Sequence, residues 1–99
     1  MKNDRDSEVL RLASNAAVDL AAARRDAGYP ERRELNRACD EAKIALMKAY
    51  ATLAADGNDA TAEDLVEARA IADGIRKAKR IGDMVYNARR LVAFLARFA

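Results

Sequence analysis

The sequence predicts an all-α fold, an antiparallel three-helix bundle with a long C-terminal helix, formed by residues 1–99 as a single domain. Alanine, leucine, arginine and glutamate dominate the composition, and all four are strong helix formers. Apolar residues recur at steps of three and four, which is typical of helices with one buried face. Two short breaks, at 28–30 and 56–59, divide the chain into three segments, and helices joined by short turns pack antiparallel.

The first helix is predicted over residues 6–27. It ends at Gly28, because glycine suits the left-handed position after a helix, and Pro30 suits the first turn of the next helix. Its buried face is expected to consist of Val9, Leu12, Ala13, Ala16, Leu20, Ala23 and Ala27.

The second helix is predicted over residues 31–55 and ends at the polar break 56–59. Its apolar face consists of Leu35, Ala38, Ala42, Ala45, Ala49 and Leu53, flanked by Cys39 and Leu46. Cys39 is the only cysteine, so the chain cannot form an intramolecular disulfide. Its place beside the apolar face predicts a buried structural thiol.

The third helix is predicted over residues 62–98. Thr61 supplies an N-cap hydroxyl, and Glu63 and Asp64 place negative charge in the first turn, where the helix dipole favours it. The apolar face consists of Leu65, Ala68, Ala72, Ile75, Ala78, Gly82, Val85, Ala88, Val92, Leu95 and Phe98. The opposite face is charged, and Phe94 interrupts it.

The length of this third helix is its most informative feature. At 1.5 Å per residue it would run about 55 Å, whereas the first two run about 33–38 Å. We therefore expect the last dozen residues, which include Phe94 and Phe98, to project beyond the bundle. An apolar projection of this kind either docks on a second copy or another protein, or folds back over its own bundle. The second arrangement requires a bend near Gly82 and makes the segment a fourth helix.

The third helix also has a ridge of small residues at every fourth position: Ala70, Gly74, Ala78 and Gly82. Such a ridge lets another helix backbone approach closely. Ordinary packing inside the monomer is the favoured explanation of the ridge.

Basic residues are concentrated in the last quarter of the chain. Residues 75–99 contain seven basic side chains against Asp83 alone, and the densest run comprises Arg76, Lys77, Lys79 and Arg80. Three interpretations stay open: a solvated helix face with local ion pairs to Asp73 and Asp83, an acidic protein partner, and a nucleic acid.

Arginines also flank the first turn, and in a three-helix bundle that turn lies at the same end as the close of the third helix. Arginines around an apolar patch suit a protein interface. The predicted partner-binding residues are Arg24, Arg25, Arg32, Arg33, Arg89, Arg90, Val92, Phe94, Leu95, Arg97 and Phe98. If the partner is a nucleic acid, the predicted contacts are Arg76, Lys77, Lys79 and Arg80.

The composition argues against an enzyme and against a cofactor or metal. Without histidine there is no Ser-His-Asp triad, no Cys-His pair and no Glu-x-x-His motif for a di-iron bundle. A single cysteine and no histidine cannot form a typical zinc site. The four glycines are isolated, so no phosphate-binding loop is expected.

Localisation and oligomeric state follow from the distribution of apolar residues. The charged N-terminus lacks the apolar stretch of a signal peptide, and no apolar run approaches the roughly 18 residues that span a bilayer. We therefore expect a cytoplasmic protein with no membrane contact. Almost half of the hydrophobic residues are alanine, which predicts a thin core, and small domains with thin cores often oligomerise.

These patterns together predict a non-enzymatic protein–protein interaction module, either an adaptor or a small protein inhibitor. We expect it to form a homodimer through its C-terminal helix and to bind another protein that presents an acidic surface. The alternative is a nucleic-acid-associated accessory protein that uses residues 76–80 and the arginine-rich end.

Overall fold

A computed structural model describes residues 4–26, 28, 31–55 and 60–98, and these ranges contain four α-helices and no strand. The helices are α1 (Asp4–Asp26), α2 (Glu31–Ala54), α3 (Ala62–Lys77) and α4 (Ile81–Ala96). The prediction of an all-α fold is confirmed. The prediction of one long helix over residues 62–98 is wrong, because α3 and α4 divide that segment. Ala27, the turn residues Tyr29 and Pro30, and the break 56–59 lie outside the described residues.

The break between α3 and α4 lies at residues 78–80. Ala78 closes α3 with φ −65° and ψ 128°, and Arg80 precedes α4 with φ −115° and ψ 146°, so the backbone is extended at both positions. The alternative expectation, a bend near Gly82 that makes the segment a fourth helix, agrees with this arrangement: the break ends two residues before Gly82, which lies in the first turn of α4. The physical reason for the break is burial: the turn lets the apolar face of α4 fold back onto the bundle and leave water.

The first residues of α3 form the cap that the sequence predicts. Thr61 Oγ1 accepts a hydrogen bond from the Asp64 backbone N–H at 3.1 Å, and the Asp64 carboxylate accepts one from the Thr61 N–H at 2.9 Å. This reciprocal capping box satisfies two donors that a helix N-terminus leaves unpaired.

The four helices run alternately up and down. α1 and α2 are antiparallel, since Leu20 lies beside Cys39 and Arg24 beside Asp40. Residue 60, just before α3, lies beside Asp6 near the start of α1, so α3 must run in the direction of α1 to pack along it. α4 returns antiparallel to α3. The main helix–helix contacts join α1 to α2 and α3, and α4 to α2 and α3.

The start of α3 is anchored on α1 by a buried carboxylate. Asp6 is only 1% exposed, and its Oδ1 accepts a hydrogen bond from the Ala60 backbone N–H at 2.6 Å. A buried carboxylate is costly unless it is hydrogen-bonded, and this bond satisfies Asp6 Oδ1 and the backbone N–H of Ala60.

The core is thin, as the composition predicts, because nine of its 22 buried hydrophobic residues are alanine. The expected faces of the first two helices are confirmed for every described residue, with Leu12 and Ala23 half-buried. The C-terminal segment contributes four of the larger core side chains, since Leu91, Phe94, Leu95 and Phe98 are all buried. Phe94, expected on the charged face, is 2% exposed and packs edge-to-face on Phe98 with ring centroids 5.3 Å apart.

Candidate functional site

Two helix connections lie at the same end of the bundle. α1 ends and α2 begins there, and α3 ends and α4 begins there, because α3 runs in the direction of α1 and α4 in that of α2. Contacts along α4 agree with this placement, since Arg89 lies against Glu34 in the first turns of α2. We call this end, formed by the described residues 20–26, 28, 31–40 and 71–90, the basic end.

The charge of the chain is distributed unevenly between the two ends. Residues 20–40 and 71–90 contain eleven basic and six acidic side chains, and the remaining residues contain seven basic and ten acidic. The net charge of +2 therefore divides into +5 at the basic end and −3 elsewhere. Glu63, Asp64 and Glu67 lie at the opposite end, at the start of α3, which we call the acidic end.

Several arginines of the basic end already contact carboxylates. Arg24 lies 3.6 Å from Asp40, and Arg89 lies 3.2 Å from Glu34. Exposed ion pairs of this kind contribute little to stability, so a partner's carboxylate can exchange for the internal one at small cost.

The predicted local pairing of the basic run is present at one of its four residues. Arg76 pairs with Asp73. Within the described ranges, no carboxylate lies in ion-pair distance of Lys77, Lys79 or Arg80, and all three side chains are exposed.

Two open clefts at the basic end are lined by guanidinium groups. The larger, of about 580 Å³, is lined by Arg24, Arg25, Arg32, Asn36 and Asp40. The smaller, of about 310 Å³, is lined by Arg33, Glu34, Arg37 and Arg89. Guanidinium groups bind carboxylates through paired, charge-assisted hydrogen bonds. Each cleft can therefore accept an acidic side chain of a partner.

The structure brings together some of the predicted partner-binding residues and separates others. Arg89 shares a cleft with Arg33, and Arg90 lies 5.9 Å from the centre of the Tyr86 ring. Arg97 lies at the acidic end instead, where its Nη2 is 2.9 Å from carboxylate oxygens of both Asp64 and Glu67. The bend between α3 and α4 causes this separation, because it turns the end of the chain back toward the start of α3.

The apolar members of the predicted interface face the interior of the monomer. Phe94, Leu95 and Phe98 are buried, and Val92 is half-buried. The helices that pack on α4, mainly α2 and α3, cover these side chains, as expected if the segment folds back over its own bundle. Their binding to a partner stays a prediction.

A second apolar surface was missed in the sequence. On α2, Ile44 is 55% exposed, Met47 is 67% exposed, and Ala51 and Ala54 are also exposed. We call these four residues the α2 seam. Their spacing of three, four and three residues is the signal that could have identified them, since it marks a second apolar stripe on the side of α2 away from its core face.

Cys39 is held as a protonated thiol in the groove between α1 and α2. Partial burial raises the pKa of the Cys39 thiol, an effect that the nearby Arg24 opposes and Asp40 reinforces. Its Sγ–H donates toward the Leu20 carbonyl at 3.5 Å. A thiol with a raised pKa is a poor nucleophile at neutral pH. In the described ranges, no three Cys, Asp or Glu side chains converge as metal ligands.

Comparisons of the chain with protein-family models, curated proteins and solved structures find no match. Among the helices described, none combines the length and apolar character needed to cross a membrane.

Proposed function

We propose that this protein is a non-enzymatic interaction module, an adaptor or small protein inhibitor, whose basic end binds an acidic surface of another protein. The observation that supports this proposal is the meeting of both helix connections at one end, with eleven basic side chains against six acidic ones. A concentrated positive field attracts an acidic partner and accelerates its association.

The mixture of charges at the basic end favours a protein over a nucleic acid. Arg24 and Arg89 lie beside the carboxylates of Asp40 and Glu34. These carboxylates would repel a phosphate backbone, whereas they could form new ion pairs with the basic side chains of a protein partner. Tyr86 is the exposed aromatic residue among those described at this end, and Arg90 lies against its ring. Arginine and tyrosine are enriched in protein interfaces. Sites that bind single-stranded nucleic acids use several aromatic side chains, on which successive bases stack.

One observation favours the nucleic-acid alternative. Lys77, Lys79 and Arg80 are exposed, and they lie at the same end as the arginines of α1 and α2, so the two basic segments needed by that alternative form one surface. A duplex would be bound through its phosphates, with an affinity that falls steeply with salt.

The two functions are distinguished by a pair of variants with equal changes in charge. Lys77→Glu/Lys79→Glu alters the basic end, whereas Arg5→Glu/Arg69→Glu alters exposed residues outside it. The probes are a polyglutamate peptide of about 20 residues and a 20-base-pair DNA duplex, with binding followed by fluorescence anisotropy at two salt concentrations.

We expect the basic-end variant to weaken binding of polyglutamate by about tenfold or more, and the control to weaken it much less. Tighter binding of the duplex than of polyglutamate, abolished by the same variant, would establish the alternative. Equal effects of the two variants on both probes would show that the basic end is not a binding surface.

A further inference from the structure

The α2 seam is an unpartnered apolar face in the monomer. α2 packs on α1 and α4 through other sides, and the seam points away from both, as the exposure of Ile44 and Met47 shows. The groove between α2 and α4 borders it and has a volume of about 350 Å³; its walls combine the apolar Ile44, Val92 and Ala96 with the charged Glu41 and Lys48. Large apolar side chains at this spacing are an unusual arrangement for a surface that stays in water.

The spacing of the seam matches the apolar positions of a two-helix coiled coil. Such helices meet where apolar residues alternate at steps of three and four. In the α2 seam the larger residues, Ile44 and Met47, come first, and the small residues, Ala51 and Ala54, follow. An antiparallel pair of seams sets Ile44 against Ala54 of the second copy and Met47 against Ala51. Each large side chain then meets a small one, in the manner of close-packed interfaces.

The charges that flank the seam are few. Lys48 is the only charged residue from 44 to 54. The twofold axis places it on the same side of the interface as Lys48 of the second copy, and its long exposed side chain can extend the ammonium group into water.

The distribution of charge along the bundle selects the antiparallel orientation. Parallel copies would place two basic ends, each of +5, side by side. Antiparallel copies send the two basic ends to opposite extremes of the dimer. Avoiding this repulsion between like charges favours the antiparallel orientation.

We propose that a second copy of this chain binds on the α2 seam, giving an antiparallel twofold homodimer. The interface is isologous, since the same four residues serve both copies. It uses α2 and not the C-terminal segment, whose apolar side chains fill the core. It goes beyond the proposed function and occupies a different surface, so the two basic ends remain outward-facing and the dimer is bivalent toward an acidic partner.

Analytical ultracentrifugation over a concentration series tests the proposal. The intact chain is expected to show a monomer–dimer equilibrium, which Ile44→Glu/Met47→Glu weakens by about tenfold or more. The matched control is Val66→Glu/Ala70→Glu, which changes two exposed apolar residues on α3, a helix that does not contact α2. The control should dimerise as the intact chain does, and circular dichroism confirms that both variants are folded. An intact chain that is monomeric throughout the series would overturn the proposal.

Disulfide cross-linking tests the orientation. In a Cys39→Ser background, one preparation carries Met47→Cys and another carries Ala51→Cys. Mixing them under mild oxidation should give the mixed dimer as the main cross-linked product, because residues 47 and 51 face each other in the antiparallel register. Predominant self-cross-linking of the Met47→Cys protein would indicate a parallel pair and contradict the proposed arrangement.

Discussion

The side chain of Asn87 occupies the space above Gly74 in which a β-carbon would stand. A β-carbon on residue 74 would lie 2.5 Å from Asn87 Oδ1 and 2.9 Å from its Cγ. Asn87 is buried, and its Nδ2 donates a hydrogen bond to the Asp83 carbonyl at 2.9 Å, so it has little freedom to move aside. Gly74 therefore lets α3 and α4 approach closely inside the monomer, which explains one position in the ridge of small residues.

Gly74→Ala and Gly82→Ala should change stability in opposite directions. Alanine is intrinsically favoured over glycine in a helix by about 0.5–1 kcal/mol, and nothing lies within 4 Å of a β-carbon on Gly82, so Gly82→Ala should stabilise by about that amount. At Gly74 the clash with Asn87 should outweigh this gain, giving a net loss of about 1–3 kcal/mol. Urea denaturation followed by circular dichroism measures both, and stabilisation by both substitutions would contradict the close packing of α3 on α4.

Phe94→Ala should be strongly destabilising. The side chain is 2% exposed and is among the largest in a core rich in alanine, so its removal should cost about 3–5 kcal/mol. Ala93→Ser, an exposed position in the same helix, should change stability by less than about 0.5 kcal/mol. Thermal and urea unfolding provide the measurement. A Phe94→Ala protein as stable as the intact chain would show that Phe94 is not part of the monomer core.

Asp6→Ala should lower the free energy of unfolding by more than the removal of an exposed carboxylate does. It leaves the buried N–H of Ala60 without its acceptor, a loss of about 1–3 kcal/mol. The control is Glu34→Ala, which removes the exposed ion pair with Arg89 and should cost at most about 1 kcal/mol. Equal unfolding midpoints for the two variants would mean that Asp6 does not anchor the start of α3.

Cys39 should react slowly with iodoacetamide, and its rate should keep rising above pH 9. Partial burial raises the thiol pKa above its ordinary value of 9.0, so the thiolate fraction at pH 8 is lower than in a free thiol. Arg24→Gln should raise the pKa further, and Asp40→Asn should lower it, because the two charges act in opposite directions. The pH–rate profile of alkylation measures all three, and a profile that matches free cysteine would contradict the burial.

The same shift sets a direction for the pH dependence of stability. The folded protein holds the Cys39 proton more tightly than the unfolded chain, so the contribution is fully present below the unfolded pKa. It is lost as the pH rises through the folded value. Stability in Cys39→Ser should therefore fall less on going from pH 8 to pH 10 than in the intact chain.

Local sequence determined the helices and where most of them begin. Strong helix formers, with apolar residues at steps of three and four, favour a helix whatever the surrounding fold. The cap at Thr61 also depends only on residues within one helical turn. The buried faces of the first two helices could be predicted for the same reason, since apolar residues at helical spacing line up on one face and that face packs on the core. The thin core follows from composition alone.

Tertiary structure decided the break at residues 78–80, and with it the packing of α4 on the bundle and the position of Arg97. Ala78 and Arg80 are good helix residues and form no breaking signal, whereas Gly82, the weak helix former, stays helical. Burial of Phe94 and Phe98 against the bundle outweighs the few helical hydrogen bonds lost at the turn, and this balance involves residues distant in sequence. The direction of α3 along α1 places Arg76–Arg80 at the same end as the arginines of α1 and α2, and the fold-back of α4 sends Arg97 to the acidic end. Local pattern could locate the charges along the chain, but only the packing of four helices decided which of them share a surface.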